Sequence, residues 1–193
     1  MMQSSISREM IKEYKELLLK WNKTINLISK KDIDKIQERH FEDSMQLIKF
    51  IPNTDISMID IGSGAGFPGI ILSMMGVNEI TLIESDSRKV AFLIQAIKLS
   101  SNIMRVINDR VENVEDLVCD IITSRAFADL SAIFNYTQNI TVKDKYLLHK
   151  DESYQKELDE AAKHWLFNVN IHDSIIFNKG KILEITDVRA RYS

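Results

Sequence analysis

The chain has 193 residues, with 25 Lys+Arg against 28 Asp+Glu for a net charge of −3, and it is 45% hydrophobic and 27% charged. That length suits one domain with a small appendage, and the balance suits a chain that buries a core, which excludes disordered and collagen-like polymers. A single cysteine, Cys119, excludes an internal disulfide framework and a multi-cysteine zinc site, and fits a reducing compartment.

The first sixteen residues are polar and charged every few positions, unlike a secretory leader, so the chain is expected in the cytoplasm. Ser7–Trp21 reads as an amphipathic helix, with Met10, Ile11, Tyr14, Leu17, Leu18 and Trp21 at helical spacing. Asp32–Phe50 reads as a second helix, with Asp32 as its N-cap, and Pro52-Asn53 ends it. Residues 1–51 are therefore expected to form an N-terminal helical extension and residues 52–193 a single compact domain.

From residue 57 the rhythm changes. Short apolar runs at Ser57–Ile61, Glu79–Ile83, Ile103–Ile107, Asp120–Thr123 and Lys145–Leu148 read as strands. Between them lie helical stretches at Pro68–Met75, Ser87–Ser100 and Asp129–Asn139, with a short turn near Val111–Leu117. Such alternation implies βαβ units and a parallel sheet covered on both faces. The tail reads as a helix over Glu152–Trp165, β-like runs at Leu166–Ile171 and Ser174–Phe177, a turn at Asn178–Lys181 and a last strand at Ile182–Thr186. Its hairpin makes the expected fold α/β with a seven-stranded mixed sheet.

Only six glycines occur, and Gly62, Gly64, Gly66, Gly69 and Gly76 all fall in the charge-free run Ile61–Asn78, together with Pro68. Glycines and a proline interrupt that run too often for a membrane span. The strand Met58–Ile61 leads into Gly62-Ser63-Gly64-Ala65-Gly66-Phe67-Pro68-Gly69, a turn at the carboxyl end of the first strand, where doubly wound folds bind nucleotides. A dinucleotide fingerprint places its third glycine five residues after the first, and that residue here is Phe67. The spacing is instead G-x-G-x-G, with Asp60 two positions before it, and this resembles the motif of class I S-adenosylmethionine-dependent methyltransferases. That cofactor carries a sulfonium and an ammonium in place of a pyrophosphate, so acidic side chains and turn carbonyls suit it. Glu84 ends the second strand, where an acidic residue holds ribose hydroxyls, although a helix cap is the simpler reading of that residue alone. The third and fourth strands run out at Asn108-Asp109-Arg110-Val111-Glu112 and Thr123-Ser124-Arg125-Ala126-Phe127.

Taken together, Trp21-Asn22-Lys23, Asn26-Leu27, Arg39-His40-Phe41, Asp43-Ser44, Asp60 through Gly69, Arg110-Val111-Glu112 and Ser124-Arg125-Ala126-Phe127 resemble the glucose-inhibited division protein B family over about residues 20 to 130. The resemblance implies a Rossmann-like methyltransferase that methylates guanine N7 in 16S ribosomal RNA, using S-adenosylmethionine. It places Gly62, Gly64, Gly66, Phe67, Val111, Glu112 and Arg125 on cofactor-contacting positions, with Glu84 as ribose ligand. Asn22, Asn26, Arg39, His40 and Arg125 become candidates for substrate binding. Asn22 and Asn26, spaced i, i+4, either contact RNA or tie the extension to the domain, and His40 either lines the site or satisfies the core. After the fifth strand the family has Leu-Lys-Gly, whereas this chain reads Leu148-His149-Lys150-Asp151.

Guanine N7 carries a free lone pair in the major-groove edge, so its methylation needs alignment and no essential general base. The Asn/Asp-Pro-Pro-aromatic run of amino-group methylases is missing from the fourth strand, and Cys119 lacks the Pro-Cys context of cytosine C5 methylases and reads as a small core residue. His149, His164 and His172 show no metal-ligand spacing, so no metal is expected. Partners are expected to be 16S ribosomal RNA or the small subunit, without a membrane, and the protein is expected to be a monomer. Residues 1–51 hold 10 Lys+Arg against 8 Asp+Glu, and residues 52–193 hold 15 against 20. Lys20, Lys23, Lys30, Lys31, Lys35 and Arg39 thus make the extension locally basic, suited to a structured anionic target or to a solvated helix face. The competing readings are a class I methyltransferase acting on another RNA, a protein or a small molecule, a nucleotide-cofactor oxidoreductase, and a non-catalytic cofactor-binding module.

Overall fold

Strands β1 (Ser57–Ile61), β2 (Glu79–Ile83) and β3 (Ile103–Ile107) have the bounds that the apolar runs set. The computed structural model describes residues 8–191; Ser7, where the periodicity starts the first helix, lies outside them. Strand β4 (Leu117–Arg125), β5 (Ile140–Lys150), β6 (Trp165–Asp173) and β7 (Lys181–Ala190) complete one sheet in the order β3-β2-β1-β4-β5-β7-β6. Pairing is parallel from β3 through β5 and antiparallel for β5 with β7 and β7 with β6, the expected mixed seven-stranded sheet.

Alternate residues of the strands feed two cores. Met58, Ile80, Leu82, Ile121 and Leu147 face a layer made by α1 (Arg8–Asn22), the segment 30–50, α3 (Gly69–Met74) and α4 (Ser87–Ala96). Ile59, Ile61, Ile83, Ile122 and Leu148 face α5 (Leu130–Tyr136) and α6 (Tyr154–Ala161). The extension and the sheet share the first of these cores: Tyr14 and Leu18 are fully buried, and the Tyr14 ring lies 5.7 Å from Phe41, 5.6 Å from Phe67 and 6.3 Å from Phe92. Cys119 lies within β4, buried in the second core, and burial pushes its thiol up to about 12, so it is a small core residue.

Several features differ from the sequence reading; the tail helix, read over Glu152–Trp165, spans Tyr154–Ala161, and Trp165 opens β6. The region read as one helix, Asp32–Phe50, is a chain of short turns: a 3-10 turn at Lys30–Lys35, a π-helical turn at Gln37–Glu42, an α turn at Asp43–Met45 (α2) and a 3-10 turn at Gln46–Phe50. Asp32 is not its cap; the carboxylate turns away to meet the Arg39 guanidinium at 2.5 Å. Helix α1 ends at Asn22, so Asn26 lies in the following loop and the two asparagines do not share a helix face. Ser174–Phe177 is a turn instead of a strand, because Ser174 Oγ accepts the amides of Ile176 at 3.2 Å and Phe177 at 3.1 Å.

Candidate functional site

The glycine turn leaves β1 at the centre of the sheet, where the chain crosses to β2 on one side and β4 lies on the other, the position at which open α/β sheets form a crevice. Gly62, Gly64 and Gly66 have φ of +63°, +56° and +83°, which L side chains rarely adopt. A Cβ on Gly62 would lie 2.2 Å from the Phe127 ring, whereas a Cβ on Gly64 would meet nothing closer than the Gly62 carbonyl at 3.8 Å. The turn is therefore packed by protein at its first glycine and open at its second.

Three contacts hold the turn. Glu84 Oε2 accepts the Gly64 amide at 2.9 Å while its Oε1 accepts the Asp86 amide at 2.8 Å. Tyr14, reaching from α1, donates its hydroxyl to the Ala65 carbonyl. Asp60 lies fully buried beneath the turn, and its Oδ2 accepts the Gly69 amide at 3.1 Å, which removes it from the open side. Burial pushes the Asp60 carboxyl up to about 7 against the lowering pull of that amide and of Arg125.

Across the turn lies a wall supplied by the segment 30–50. The Arg125 guanidinium donates to the Arg39 carbonyl at 2.9 Å, to Asp43 Oδ2 at 3.4 Å and to His40 Nδ1 at 2.6 Å, and lies 5.1 Å over the Phe67 ring. Arginine only donates, so His40 must accept at Nδ1 and carry its proton on Nε2. Burial, with Arg125 alongside, lowers the His40 imidazole to about 4 and keeps it neutral. The ring stacks on Phe67 at 5.1 Å, and its Nε2 is buried without a hydrogen-bond partner. Asp43 is in turn held by Gln46 Nε2 at 2.7 Å, and its carbonyl receives His149 Nε2 at 3.0 Å. Burial, opposed by Asp43, lowers the His149 imidazole.

Turn and wall enclose a cleft of about 650 Å³. Of the residues singled out in the sequence, Gly62, Gly64, Phe67, Arg39, His40 and Arg125 line it. Gly66 packs behind it against Ile70, Glu84 braces it through the Gly64 amide, and Val111 is buried in the second core at the end of β3. Glu112 is exposed and pairs with Arg110 at 3.8 Å. Asn22 Oδ1 accepts the amides of Leu27 and Ile28, both at 2.9 Å, which shapes the loop whose residues Leu27 to Ser29 form one rim, while Asn26 is exposed. Lys150 points inward to the Ala128 carbonyl and Glu157, each at 2.6 Å, and Asp151 takes no left-handed conformation, so no glycine is required there. Instead Asp151 accepts the Ser153 amide at 2.8 Å and its hydroxyl at 2.6 Å.

Sequence reasoning missed Tyr14 as a brace of the turn, and it missed Gln46 and Phe177. Tyr14 was visible only as one more member of an apolar stripe. Ala126 adopts φ of +52° directly after Arg125, a strained conformation that swings Phe127 over Gly62. Among the described residues no group of three His, Cys, Asp or Glu side chains is arranged to hold a metal ion, and no helix is long and apolar enough to cross a membrane.

The family described as GidB, rRNA small subunit methyltransferase G, matches residues 7–186. A protein of Rickettsia prowazekii (strain Madrid E) named ribosomal RNA small subunit methyltransferase G is 51% identical over 180 residues, 93% of this chain and 94% of its own length. Among solved structures, the TehB-like SAM-dependent methyltransferase of Corynebacterium glutamicum ATCC 13032 Kitasato is similar with a TM-score of 0.58 at 11% identity, covering 91% of this chain and 97% of its own. A mutant of MtNAS in complex with S-adenosylmethionine has a TM-score of 0.59 at 14% identity, covering 93% and 75%. At these identities the structural matches establish the fold.

Replacing Asp60 by Asn isolates its contribution to stability. The carboxyl titrates near 7 when folded and near 4 when unfolded, so the folded state binds more protons between those values and wild-type stability contributed by this group falls as pH rises through that window. Urea unfolding across pH 4–7 is expected to show Asp60→Asn gaining stability relative to wild type, by up to about 1.4 kcal/mol per pH unit. A difference that stays flat with pH contradicts the burial of an ionisable carboxyl under the turn.

Proposed function

The chain belongs to the GidB family, and from that premise we propose that it transfers the methyl group of S-adenosylmethionine to N7 of a guanine in 16S ribosomal RNA. The observation that carries the reading is the composition of the cleft: an open glycine turn on one side and, on the other, a neutral His40 whose single lone pair is taken by Arg125. A reaction that needs a general base is poorly served by such a wall, whereas N7 alkylation needs none.

The residues present fit the cofactor. The space beside Gly64 is not filled by protein, and Glu84 uses one lone pair on each oxygen for the turn amides, which leaves acceptor capacity for vicinal hydroxyls. Gly62, Gly64, Phe67 and Glu84 would hold it, with the main chain of Val111 and Glu112 at the adjoining strand end. When bound, S-adenosylmethionine supplies a methyl group activated by a sulfonium. The rest falls to this chain's side chains. Phe67, Tyr14 and Phe41 exclude water beneath the turn. Arg125 fixes the wall through its bonds to the Arg39 carbonyl, Asp43 and His40. His40 carries an unpartnered Nε2–H, a donor of the kind guanine O6 accepts. Catalysis then rests on proximity and orientation. Exposed Lys20, Lys23, Lys30, Lys31 and Lys35 on the extension supply phosphate contacts near the Leu27–Ser29 rim. Ribosomal RNA as substrate supports a cytoplasmic protein.

The test is to incubate purified protein with methyl-labelled S-adenosylmethionine and unmethylated small-subunit RNA, then map the label. Label at N7 of one guanine is expected; label on protein or on an exocyclic amine overturns the assignment. In calorimetric titration, Glu84→Ala is expected to weaken S-adenosylmethionine binding roughly 10- to 100-fold, since a charged acceptor is lost and the Gly64 amide is orphaned. Unchanged affinity removes Glu84 from the cofactor site.

A further inference from the structure

The far rim of the cleft is built around a side chain that the wall described above does not use. Phe177 lines the cleft from the turn between β6 and β7, half-buried, with the Arg39 guanidinium 5.6 Å over its ring. Arg39 is fixed at its fork by Asp32 at 2.5 Å, yet its side chain keeps 39% of its exposure. The turn that presents Phe177 is held from a distance. Buried Gln46 accepts the Ile175 amide at 3.0 Å and donates to Ser174 Oγ at 3.2 Å, and the same hydroxyl accepts the Phe177 amide at 3.1 Å. A chain that uses a buried amide side chain to fix a surface turn more than a hundred residues away is organising that turn for a purpose beyond packing, since surface turns are otherwise free to vary.

The product is a planar cation, pinned at its edge and backed by an aromatic ring, beside the mouth of the cleft. Unpaired nucleobases are gripped by such surfaces, through stacking on arginine planes and aromatic faces. A phosphate would meet an arginine whose charge is already matched by Asp32 at 2.5 Å, whereas a base meets the open plane of the cation. We propose that Phe177 and Arg39 form a stacking platform for an unpaired base next to the methylated nucleotide, and that Phe177 is a substrate-positioning residue through its support of Arg39. This rests on the RNA reading above and names how the site grips the strand around its target.

The test compares steady-state methylation of unmethylated small-subunit RNA by wild type, Phe177→Ala, Phe177→Leu, Phe177→Tyr and Arg39→Lys, alongside calorimetric affinity for S-adenosylmethionine. Ala and Leu are expected to raise KM for RNA roughly 5- to 100-fold, the range of one lost stacking contact to a base, since Arg39 loses its backing, with kcat at saturating RNA and cofactor affinity near wild type. Tyr, which keeps the ring, restores KM. Arg39→Lys keeps the charge, loses the plane and raises KM in the same way. A Leu variant as good as wild type reduces Phe177 to apolar filler and overturns the platform, as does an Ala variant with unchanged KM or one whose cofactor affinity falls as far as its RNA affinity. A wild-type protein that leaves the RNA unlabelled in the same assay instead removes the RNA reading itself.

Discussion

Arg125 carries a full positive charge to a place where 17% of its side chain meets solvent, and a buried charge persists only where hydrogen-bonded partners offset the loss of water. The partners come from one short stretch of the extension: the Arg39 carbonyl, the His40 imidazole and the Asp43 carboxylate. This requirement sets the shape of residues 39–46. The π-helical turn at Gln37–Glu42 carries Arg39 and His40 and runs directly into Asp43, and all three meet one guanidinium. It also sets the state of His40, because a second cation beside Arg125 would be unfavourable, and the imidazole is accordingly neutral.

From that hub the rest of the cleft follows. Phe67 lies under the guanidinium and beside His40, so the glycine turn and the wall meet on one ring. Tyr14 ties the same turn to α1 through the Ala65 carbonyl. Asp43 passes the arrangement on to Gln46 and His149, and Gln46 to the β6–β7 turn. Glycine turn, wall and far rim are thus one connected set of contacts, and the extension is part of the site instead of an accessory to it. Orientation of this kind is what methyl transfer to an unprotonated nitrogen asks of a protein.

Much of this was legible in the sequence where local pattern and tertiary context agree. β1, β2 and β3 are apolar runs bounded by turns, and each sits where its run ends. β4 and β5 extend past the runs Asp120–Thr123 and Lys145–Leu148 because they pair with each other at both ends, Leu117–Cys119 with Ile140–Val142 and Arg125 with His149. A strand end set by a partner strand tens of residues away leaves no mark in the local apolar pattern. The same holds for the segment 30–50, whose helical spacing is real but whose turns are re-aimed by Arg125. The spacing of the glycines located the turn that opens onto the cleft, and the motif residues Arg39, His40 and Arg125 came together there. Gln46 and Phe177 were not legible, because nothing in their neighbours' types signals a contact spanning from residue 46 to the turn at 174–177.

The central claim is that Arg125 acts by holding residues 39–46 against the glycine turn, without touching the acceptor itself. Arg125→Lys keeps the charge but replaces a fork that reaches three partners with a single ammonium. Hydrogen exchange of the amides of residues 39–46, measured beside methyl transfer at saturating S-adenosylmethionine, separates the two roles. The account predicts that protection of this segment and the rate of transfer fall together, while protection of the central strands is retained. Loss of transfer with protection of residues 39–46 unchanged would contradict it and move Arg125 from the scaffold into direct contact with the substrate.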